Sequence, residues 1–348
     1  MARLRVGVVG TGGIARNRHI PGYVKLQDEV DLVAICDVSK DVVTRTASEF
    51  GIEKAYTDYR EMFDCEKLDA ISVCTPNSFH APISIAALER GIHVLCEKPL
   101  ALCPEEAKNM IRAAEQAGKT LMTGFHYRFQ AEAQAAKRVI ESGELGDIYM
   151  VRVQAIRRRG IPGWGVFTNR SLQGGGAMID FGVHLLDLAL WLAGNPKVVE
   201  VTGVISAHLG TQPNVNPWGP WDHEHFEVED HAAAFIRCEH GMAMQFEASW
   251  ALNVAQSVEN VSFSGTHAGL DVFPFQLNKA AHGMLLNTKP AWMPGEQDNV
   301  GDLEIAEFVH SILEERTPLV TVQQALQVTE IVDAMYRSAE RRASIQLA

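Results

Sequence analysis

The feature of this sequence that most constrains its fold is a glycine-rich loop that follows a short apolar run near the start of the chain. The run Leu4–Val9 is predicted to be a β-strand, and the pattern Gly10-x-Gly12-x-x-Ala15 after it should open a helix. Gly10 permits a tight turn, Gly12 lets the backbone approach a pyrophosphate, and Ala15 allows the helix to pack closely on the strand. The helix N-terminus offers free N–H groups to an anion. The loop therefore predicts a dinucleotide site, with cofactor contacts from Gly10, Gly12, Gly13, Ile14 and Ala15.

An acidic residue, Asp37, follows the next predicted strand and discriminates between dinucleotides. It lies 22 residues past Ala15, where a carboxylate can bind both ribose hydroxyls of NAD. The same carboxylate would repel the 2′-phosphate of NADP, so the sequence favours NAD, while Lys40 leaves NADP open. The alternative interpretation is a tight turn followed by an Asp that caps the next helix.

Strand and helix signals alternate through residues 1–124. Short apolar runs alternate with helical stretches such as Ser39–Phe50 and Pro104–Ala117, a pattern typical of a parallel sheet with helices on both faces. We predict an α/β fold here, a doubly wound parallel sheet that forms an NAD(P)-binding domain. Its strands are predicted at Leu4–Val9, Leu32–Cys36, Ala70–Cys74, His93–Cys96 and Thr120–Thr123.

The pattern changes in residues 125–348, which we predict to form an α+β domain with a large, mostly antiparallel sheet. A hairpin turn is expected at Glu239–Gly241, and an irregular stretch with several Pro and Trp residues at Gly210–Glu229. Two helices are expected at Glu304–Glu315 and Val322–Arg337. The strands are predicted at Ile148–Ala155, Val198–Ala207, Ala232–Cys238, Met242–Trp250 and Val258–Ser264.

Composition excludes several classes of protein. The formal net charge of -12 disfavours nucleic-acid binding, and the short run Arg157–Arg159 is interpreted as solvated. No apolar run reaches the roughly 20 residues that span a bilayer, so no membrane association is expected. The six cysteines show no CxxC or metal-like spacing, and His223-Glu224-His225 lacks a third ligand, so no metal is expected. Scattered cysteines without a signal-peptide pattern favour the reducing cytoplasm.

A second constellation, in the run Gly174–Asp187, carries acid–base chemistry. Asp180 and His184 lie four residues apart on a predicted helix and therefore share one face. An imidazole with a pKa of about 6.5 suits proton transfer near neutrality, and the carboxylate can orient it or bind a substrate hydroxyl. Asp187 is expected to support the same face. Together with the cofactor loop, this pair predicts a dehydrogenase.

Two further residues are candidates for contact with substrate. Lys98 follows the C-terminal end of a predicted strand, where doubly wound folds place ligands, and its ammonium can stabilise charge that develops on the reacting oxygen. Glu97 is expected to meet the cofactor or to fix this loop, and Pro99 to stiffen it. Trp164 lies among glycines and is expected either to stack on nicotinamide or sugar or to pack as an ordinary Trp.

The ordered set of these motifs resembles the glucose–fructose oxidoreductase / inositol dehydrogenase / rhizopine catabolism (Gfo/Idh/MocA) family over nearly the whole chain. The motifs are the glycine loop, Cys74–His80, Glu97–Pro99, Gly124–Phe129 and Gly174–Asp187. The resemblance implies a Rossmann domain followed by an open-faced antiparallel sheet that often serves as an oligomer surface. It also implies NAD(P)-dependent oxidation or reduction of a sugar, cyclitol or related polyol.

The resemblance also implies roles for individual residues. Lys98, Asp180 and His184 match the family's catalytic set, and together with Trp164 they are assigned to substrate binding. His126 stands where many relatives carry Asn, which puts the contact near the nicotinamide at this position in doubt. The further cofactor contacts are assigned to Asp37, Thr75, Pro76, Asn77, His80, Glu97, Lys98 and His126. The alternative for the residues from Thr75 to His80 is that they cap the next helix.

These observations predict an NAD-dependent dehydrogenase that oxidises a secondary hydroxyl of a sugar, glycoside or cyclitol. His184 is the expected base, with Lys98 as the alternative, and the chain is expected to form a homodimer or homotetramer through the C-terminal sheet. A second hypothesis is an enzyme that retains NAD and cleaves glycosides, or carries out sugar–sugar oxidoreduction, through an internal redox cycle. A third is a non-enzymatic NAD-binding protein, which the intact set of Lys98, Asp180 and His184 argues against.

Overall fold

The computed structural model describes residues 3–347, which form two compact units, each with its own sheet. The first unit contains the chain up to His126 together with Asp298–Thr329. The second contains Tyr127–Gln297 and the segment from Glu330 onward. The predicted domains, residues 1–124 and 125–348, stay a prediction, since compactness alone does not define where a domain folds independently.

The sheet of the first unit has six strands, all parallel, in the order β3-β2-β1-β4-β5-β6. This order confirms the predicted doubly wound sheet. The direction of winding reverses between β1 and β4, and folds of this kind bind ligands beyond the carboxyl ends of the strands at such a reversal. The strands are β1 Leu4–Val9, β2 Val30–Cys36, β3 Lys54–Tyr56, β4 Ala70–Val73, β5 His93–Cys96 and β6 Leu121–Thr123.

Helices cover this sheet and have well-defined ends. In α5, Pro104 takes an initial position and two glutamates lie in the first turn, where they complement the helix dipole; Gly118 ends the helix in the left-handed conformation, at φ 62°. The helices that begin in this unit are α1 Ile20–Lys25, α2 Lys40–Phe50, α3 Tyr59–Cys65, α4 His80–Leu88, α5 Pro104–Ala117, α9 Val300–Leu313 and α10 Val322–Arg341. The last of these continues into the second unit.

The sheet of the second unit has nine strands in the order β14-β13-β12-β11-β7-β10-β9-β8-β15. Its ladders are antiparallel except for the parallel pair of β7 with β10, which confirms the mostly antiparallel sheet. The strands are β7 Ile148–Ile156, β8 Val198–Ser206, β9 His231–Cys238, β10 Ala243–Ser249, β11 Val258–Gly265, β12 Ala268–Asp271, β13 Gln276–Ala281, β14 Met284–Thr288 and β15 Ile345–Gln346. The predicted turn at Glu239–Gly241 joins β9 to β10.

The helices of this unit include an unusually apolar one that packs on one face of the sheet. They are α6 Ala131–Glu141, α7 Arg170–Gln173 and α8 Val183–Leu192, and every residue of α8 is buried. By length and composition, the helical stretch Arg170–Leu192 could cross a membrane, although no such segment was expected from the sequence. Its most apolar part is 94% buried inside the structure. Such burial is typical of a core helix.

An ion pair without solvent contact fastens α8 inside the second unit. Asp187 accepts hydrogen bonds from Arg128 at 2.6 and 2.8 Å, and both side chains are fully buried. The Arg128 guanidinium also lies over the Trp191 ring, one helical turn further along α8. Asp187 therefore supports this helix through Arg128, a partner that the sequence spacing did not identify.

Candidate functional site

The turn by which the glycine-rich loop leaves β1 requires glycine at its first position. There the backbone of Gly10 packs against the residues that directly follow β4. Gly10 has a φ of +87°, and a Cβ atom at this position would lie 2.6 Å from the carbonyl of Cys74. Only glycine adopts this backbone conformation without strain, and only glycine leaves room for the neighbouring strand. The loop is therefore pinned to the carboxyl ends of β1 and β4.

The next two glycines face open space rather than protein. A Cβ atom at Gly12 or Gly13 would meet no heavy atom within 4 Å, and both residues are exposed. A helical segment over residues 13–25 begins here, with Ile14 in its first turn and the buried Ala15 at the start of a short π-helical stretch, Ala15–His19. Exposed backbone N–H groups beside a side-chain-free surface form a cradle that fits a pyrophosphate.

Asp37 faces this cradle. Its carboxylate accepts hydrogen bonds from the backbone N–H of Thr11 at 2.9 Å and from the N–H of Ser39 at 3.0 Å, and the Thr11 hydroxyl adds a third contact at 3.2 Å. These bonds tie the carboxylate between the glycine loop and the start of α2. A carboxylate held at the end of β2 is placed to bind the hydroxyls of a ribose.

The residues after β4 and β5 form two loops that one histidine connects. Thr75, Pro76 and Asn77 are partly exposed beyond the end of β4. His80 is fully buried, and its two ring nitrogens lie 2.7 Å from the carbonyl oxygen of Pro99 and 3.0 Å from that of Thr75. Burial lowers the pKa of His80. Its ring therefore holds the two loops together, and its predicted contact with the cofactor stays a prediction.

Glu97 lies beneath the second of these loops in a buried network. One carboxylate oxygen accepts a hydrogen bond from the His19 ring at 3.0 Å, and the other accepts the backbone N–H of Lys98 at 3.1 Å. The other His19 nitrogen lies 2.9 Å from Ser72, which also contacts Tyr23. Burial opposes the charge of Glu97, but its hydrogen bond with His19 and nearby cations lower its pKa to about 2. Glu97 thus fixes the loop that carries Lys98, one of the two roles predicted for it.

Two predicted site residues flank this network in the first unit. Lys98 is partly exposed and precedes a cis peptide bond to Pro99. Burial lowers the pKa of His126 to about 3, and the charges of Arg18 and Lys98 act in the same direction. His126 is therefore a neutral imidazole near pH 7, which can donate or accept a hydrogen bond without adding charge.

A buried acid that sequence reasoning did not identify lies on α9 of the same unit. Glu304 is fully buried, and neither of its carboxyl oxygens has a hydrogen-bond partner within residues 3–347. Its nearest cation is Arg18, at 3.8 Å. Burial and the charge of Glu97 raise the pKa of Glu304 to about 8. Its sequence position, at the start of a helical stretch, resembles an ordinary solvated acid, so no local signal marks it.

In the second unit, a buried carboxylate holds the start of the helical run that carries Asp180 and His184. Glu229 accepts hydrogen bonds from the backbone N–H groups of Gly176 at 2.9 Å and Met178 at 3.0 Å, and from the Tyr336 hydroxyl at 3.0 Å. A Cβ atom at Gly176 would lie 2.0 Å from the carbonyl oxygen of Glu229. Gly176 is therefore needed for close contact between this turn and the segment that precedes β9. Gly175 is needed for another contact, because a Cβ atom there would lie 1.8 Å from the Tyr336 hydroxyl.

Asp180 lies in a π-helical turn, Met178–Gly182, directly before α8. Its carboxylate accepts a hydrogen bond from the Trp250 indole at 2.9 Å and forms an ion pair with Arg157 at 3.5 Å. The interpretation of Arg157 as solvated was wrong: its side chain is 22% exposed, and its guanidinium stacks over Phe181 at 4.2 Å. Tertiary packing brings these partners together, so spacing along the chain could not identify them.

His184 lies in the first turn of α8, with 7% of its surface exposed. Its ring packs against Tyr127 at a centroid distance of 5.1 Å, and the Tyr127 hydroxyl donates to Glu259 at 2.7 Å. His184 follows Asp180 by four residues on one helical run, as predicted, and Asp180 itself lies in the π-helical turn that precedes α8. The catalytic roles assigned to these residues stay predictions.

The remaining candidates of the second unit lie on its surface. Trp164 is 55% exposed and stacks on Trp218, with ring centroids 5.6 Å apart. His225 pairs with Asp222 at 2.8 Å rather than with a second histidine. Across residues 3–347, no cluster of three or more His, Cys, Asp or Glu side chains could hold a metal ion.

Family models match most of this chain. Residues 4–125 match the model described as oxidoreductase family, NAD-binding Rossmann fold, and residues 133–271 match the Gfo/Idh/MocA C-terminal domain. The first matched region contains the glycine loop, Cys74–His80 and Glu97–Pro99, and the second contains Gly174–Asp187. The Gly124–Phe129 motif lies largely between the two matched regions.

Individual relatives cover nearly the full chain. The D-glucoside 3-dehydrogenase of Escherichia coli strain K12 is 35% identical over 99% of this chain and 97% of its own length. The levoglucosan dehydrogenase of Pseudarthrobacter phenanthrenivorans is 29% identical over 72% of this chain and 68% of its own. A solved structure of levoglucosan dehydrogenase in complex with NADH superimposes with a TM-score of 0.83 at 26% identity, and each chain is fully covered.

The contacts of Asp37 predict a measurable effect on cofactor choice. Replacement by Ala removes the carboxylate that would bind the ribose hydroxyls, and hydrogen bonds to charged groups are worth about 1.5–3 kcal/mol. We expect Asp37→Ala to weaken NAD binding by about 10- to 100-fold and to reduce the preference for NAD over NADP. Isothermal titration with each dinucleotide measures both. Asp41→Ala, an exposed acid in the first turn of α2, is the control; unchanged NAD affinity in Asp37→Ala would contradict the assignment.

The buried Glu304 predicts how stability depends on pH. Its carboxyl titrates at about 8 in the folded chain and at its ordinary 4.5 in the unfolded chain. The folded state therefore holds an extra proton between these values, and its stability falls as the pH rises through this window. Glu304→Gln removes this dependence. The difference between the Tm of the variant and the Tm of wild type should therefore become more positive as the pH is raised from about 5 to about 9. The exposed Glu115→Gln is the control, and a parallel response of both variants would refute the buried-acid interpretation.

Proposed function

This chain belongs to the Gfo/Idh/MocA family of oxidoreductases, and we propose that it is an NAD-dependent dehydrogenase that oxidises a secondary hydroxyl of a sugar, glycoside or cyclitol. One observation carries the proposal: the buried His184 follows Asp180 on a helix whose start is fixed by Glu229. Acid–base groups held by buried contacts are typical of catalytic sites. The sugar dehydrogenases among its relatives give the substrate class its support.

Bound NAD would accept the hydride from the carbon that bears the reacting hydroxyl. His184 then takes the hydroxyl proton as general base. Its ring lies in the first turn of α8 and is shielded from bulk solvent. Lys98 donates a hydrogen bond to the reacting oxygen and stabilises the negative charge that develops there. Lys98 is the alternative base, if its ammonium loses a proton before the transfer.

Asp180 positions the reaction rather than taking the proton in this mechanism. The Trp250 indole and the Arg157 guanidinium both stabilise its ionised form, and they fix the direction of its lone pairs. An anchored carboxylate can accept a hydrogen bond from the imidazole or from a substrate hydroxyl. Either contact restricts the substrate to the orientation in which hydride transfer is productive.

Other residues support the choice of NAD as cofactor and the cellular compartment proposed for the protein. The carboxylate of Asp37 at the glycine loop supports NAD rather than NADP, because it would repel a 2′-phosphate. All six cysteines are free, four of them buried, which fits the reducing cytoplasm. A cytoplasmic location therefore belongs to the proposal.

The test of this function is absorbance at 340 nm with NAD and a panel of D-glucosides, free sugars and cyclitols. Glucosides come first because the relative that is 35% identical over nearly the full chain is a D-glucoside 3-dehydrogenase. NADH formation with one class supports the proposal. Conversion of a glycoside without net NADH would replace it by the cofactor-retaining redox cycle, and no turnover with verified NAD binding would contradict it.

We also propose that the open face of the nine-stranded sheet joins copies of this chain into a homodimer or homotetramer. The strand residues that point away from α8 include Val204, which is 60% exposed, and Phe235, which is 37% exposed. Antiparallel sheets tolerate water on one face, but apolar residues there are typical of an interface. Light scattering should show an oligomer for wild type, and smaller particles for Phe235→Glu but not for Val24→Glu, an exposed residue outside the sheet. A monomeric wild type would contradict this interface.

His184 supplies the sharpest test of the mechanism. Replacement by Ala removes the general base, which contributes typically about 10²–10⁴ in rate. We expect His184→Ala to lose turnover by this factor and to keep NAD affinity within about threefold, since the substitution leaves the glycine loop and Asp37 unchanged. Steady-state kinetics at 340 nm and titration of NAD measure the two effects. His208→Ala, an exposed histidine of the same unit, is the control; near-normal turnover of His184→Ala would transfer the base role to Lys98.

A further inference from the structure

A row of aromatic side chains extends from the Asp180 carboxylate across the surface of the second unit. Arg157 contacts Asp180 at 3.5 Å, and its guanidinium lies 4.6 Å from the centre of the Trp218 ring. Trp218 in turn stacks on Trp164, and the Trp164 ring meets Phe167 edge-on at 6.3 Å. The Trp218 ring is therefore only one guanidinium group away from the predicted catalytic carboxylate.

The two tryptophans are exposed although they are large and apolar. Trp164 has 55% of its surface exposed and Trp218 has 44%. Exposing two neighbouring indole rings is costly in water, and contiguous exposed apolar groups on a soluble surface mark binding sites. The two rings are tilted by 37° with respect to each other, which leaves an open, angled apolar surface beside Arg157.

The loops that carry the two rings are built to hold them in place. The Asn216 side chain donates hydrogen bonds to the carbonyl oxygens of Ile161 at 2.8 Å and Gly219 at 2.9 Å, and it accepts one from the Ile161 N–H. Gly163 packs so closely on the second loop that a Cβ atom there would lie 1.9 Å from the carbonyl oxygen of Pro220. A surface fixed in this way loses little entropy when a ligand binds to it.

From this arrangement we infer that Trp218 and Trp164 form a subsite for the second ring, sugar or aryl, of a glycoside whose first ring carries the oxidised hydroxyl. The inference rests on the proposed function and narrows its substrate class from free sugars to glycosides. An aromatic face attracts the C–H groups of a pyranose or the edge of an aryl ring, and Arg157 can donate hydrogen bonds to oxygens near the glycosidic link. The continuity of the row with Asp180 favours a small ligand over a protein partner.

The experiment compares methyl and phenyl β-D-glucopyranoside, which differ only in the group that would reach the subsite. Stacking interactions are worth enough that we expect wild type to favour the phenyl glucoside by about tenfold in kcat/KM. Trp218→Ala should remove this preference, and Trp218→Phe should keep most of it because a flat ring remains. Trp292→Ala removes another exposed Trp outside the row, 71% exposed, and should leave both values unchanged.

The outcomes separate this inference from the proposed function. If both glucosides yield NADH, the dehydrogenase is supported and the subsite is tested separately. The subsite is overturned if wild type shows no preference for the phenyl glucoside, or if Trp218→Ala lowers kcat/KM equally for both glucosides. If neither glucoside is oxidised, calorimetric titration of phenyl β-D-glucopyranoside into the NADH-loaded protein decides the matter. Binding about tenfold weaker in Trp218→Ala supports the subsite, and equal or absent binding overturns it. A change in oligomer mass for Trp218→Ala, measured by light scattering, also overturns it, since the row would then be a subunit contact.

Discussion

The candidate catalytic helix depends on the buried carboxylate of Glu229. Its oxygens accept two backbone N–H groups at the start of the helical run, and Tyr336 completes the set. Burial raises the pKa of Glu229, and the hydrogen bonds from these backbone N–H groups act in the opposite direction. A buried carboxyl group needs such partners, so these bonds hold the turn against Glu229. Asp180 and His184 follow this turn, four and eight residues after Gly176. The hydrogen bonds to Glu229 therefore fix the start of the helical run that carries both side chains. Gly175 and Gly176 are thus required by this packing, because a side chain at either position would collide with Tyr336 or Glu229.

In each unit, a network of hydrogen-bonded and charged side chains holds a proposed catalytic residue in place. In the first, His19 and Glu97 hold the loop that carries Lys98. In the second, Trp250 and Arg157 hold the carboxylate of Asp180. Such networks are stable only when their members find partners, which restricts the conformations of the residues above them. The proposed chemistry uses the partly exposed Lys98 and Asp180 and the buried His184, and residues packed against them restrict their conformations.

The sequence predicted the fold well where signals were local. Alternating short strands and helices identified the doubly wound sheet, and the glycine loop marked its cofactor end. The strands after residue 265 escaped prediction, because β12 to β15 are short or exposed and carry no strong apolar pattern. The supports of the site escaped for another reason. Arg157 and Trp250 meet Asp180 only through tertiary packing, which also buries Glu304. Arg157 was misinterpreted because its neighbours in sequence are also arginines.

The return of residues 298–329 to the first unit has a consequence for how this chain is made. Ile305 packs so closely on α1 that a Cβ atom at Gly22 would lie 2.8 Å from it, and Lys25 pairs with Asp302. These contacts close a loop of more than 270 residues. A nascent chain emerging from the ribosome can assemble the six parallel strands early, but the surface under α9 stays uncovered until α9 itself has been synthesised. Completion of the cofactor-binding unit thus waits for the synthesis of strands β7 to β14, all of which lie between β6 and α9 in the sequence.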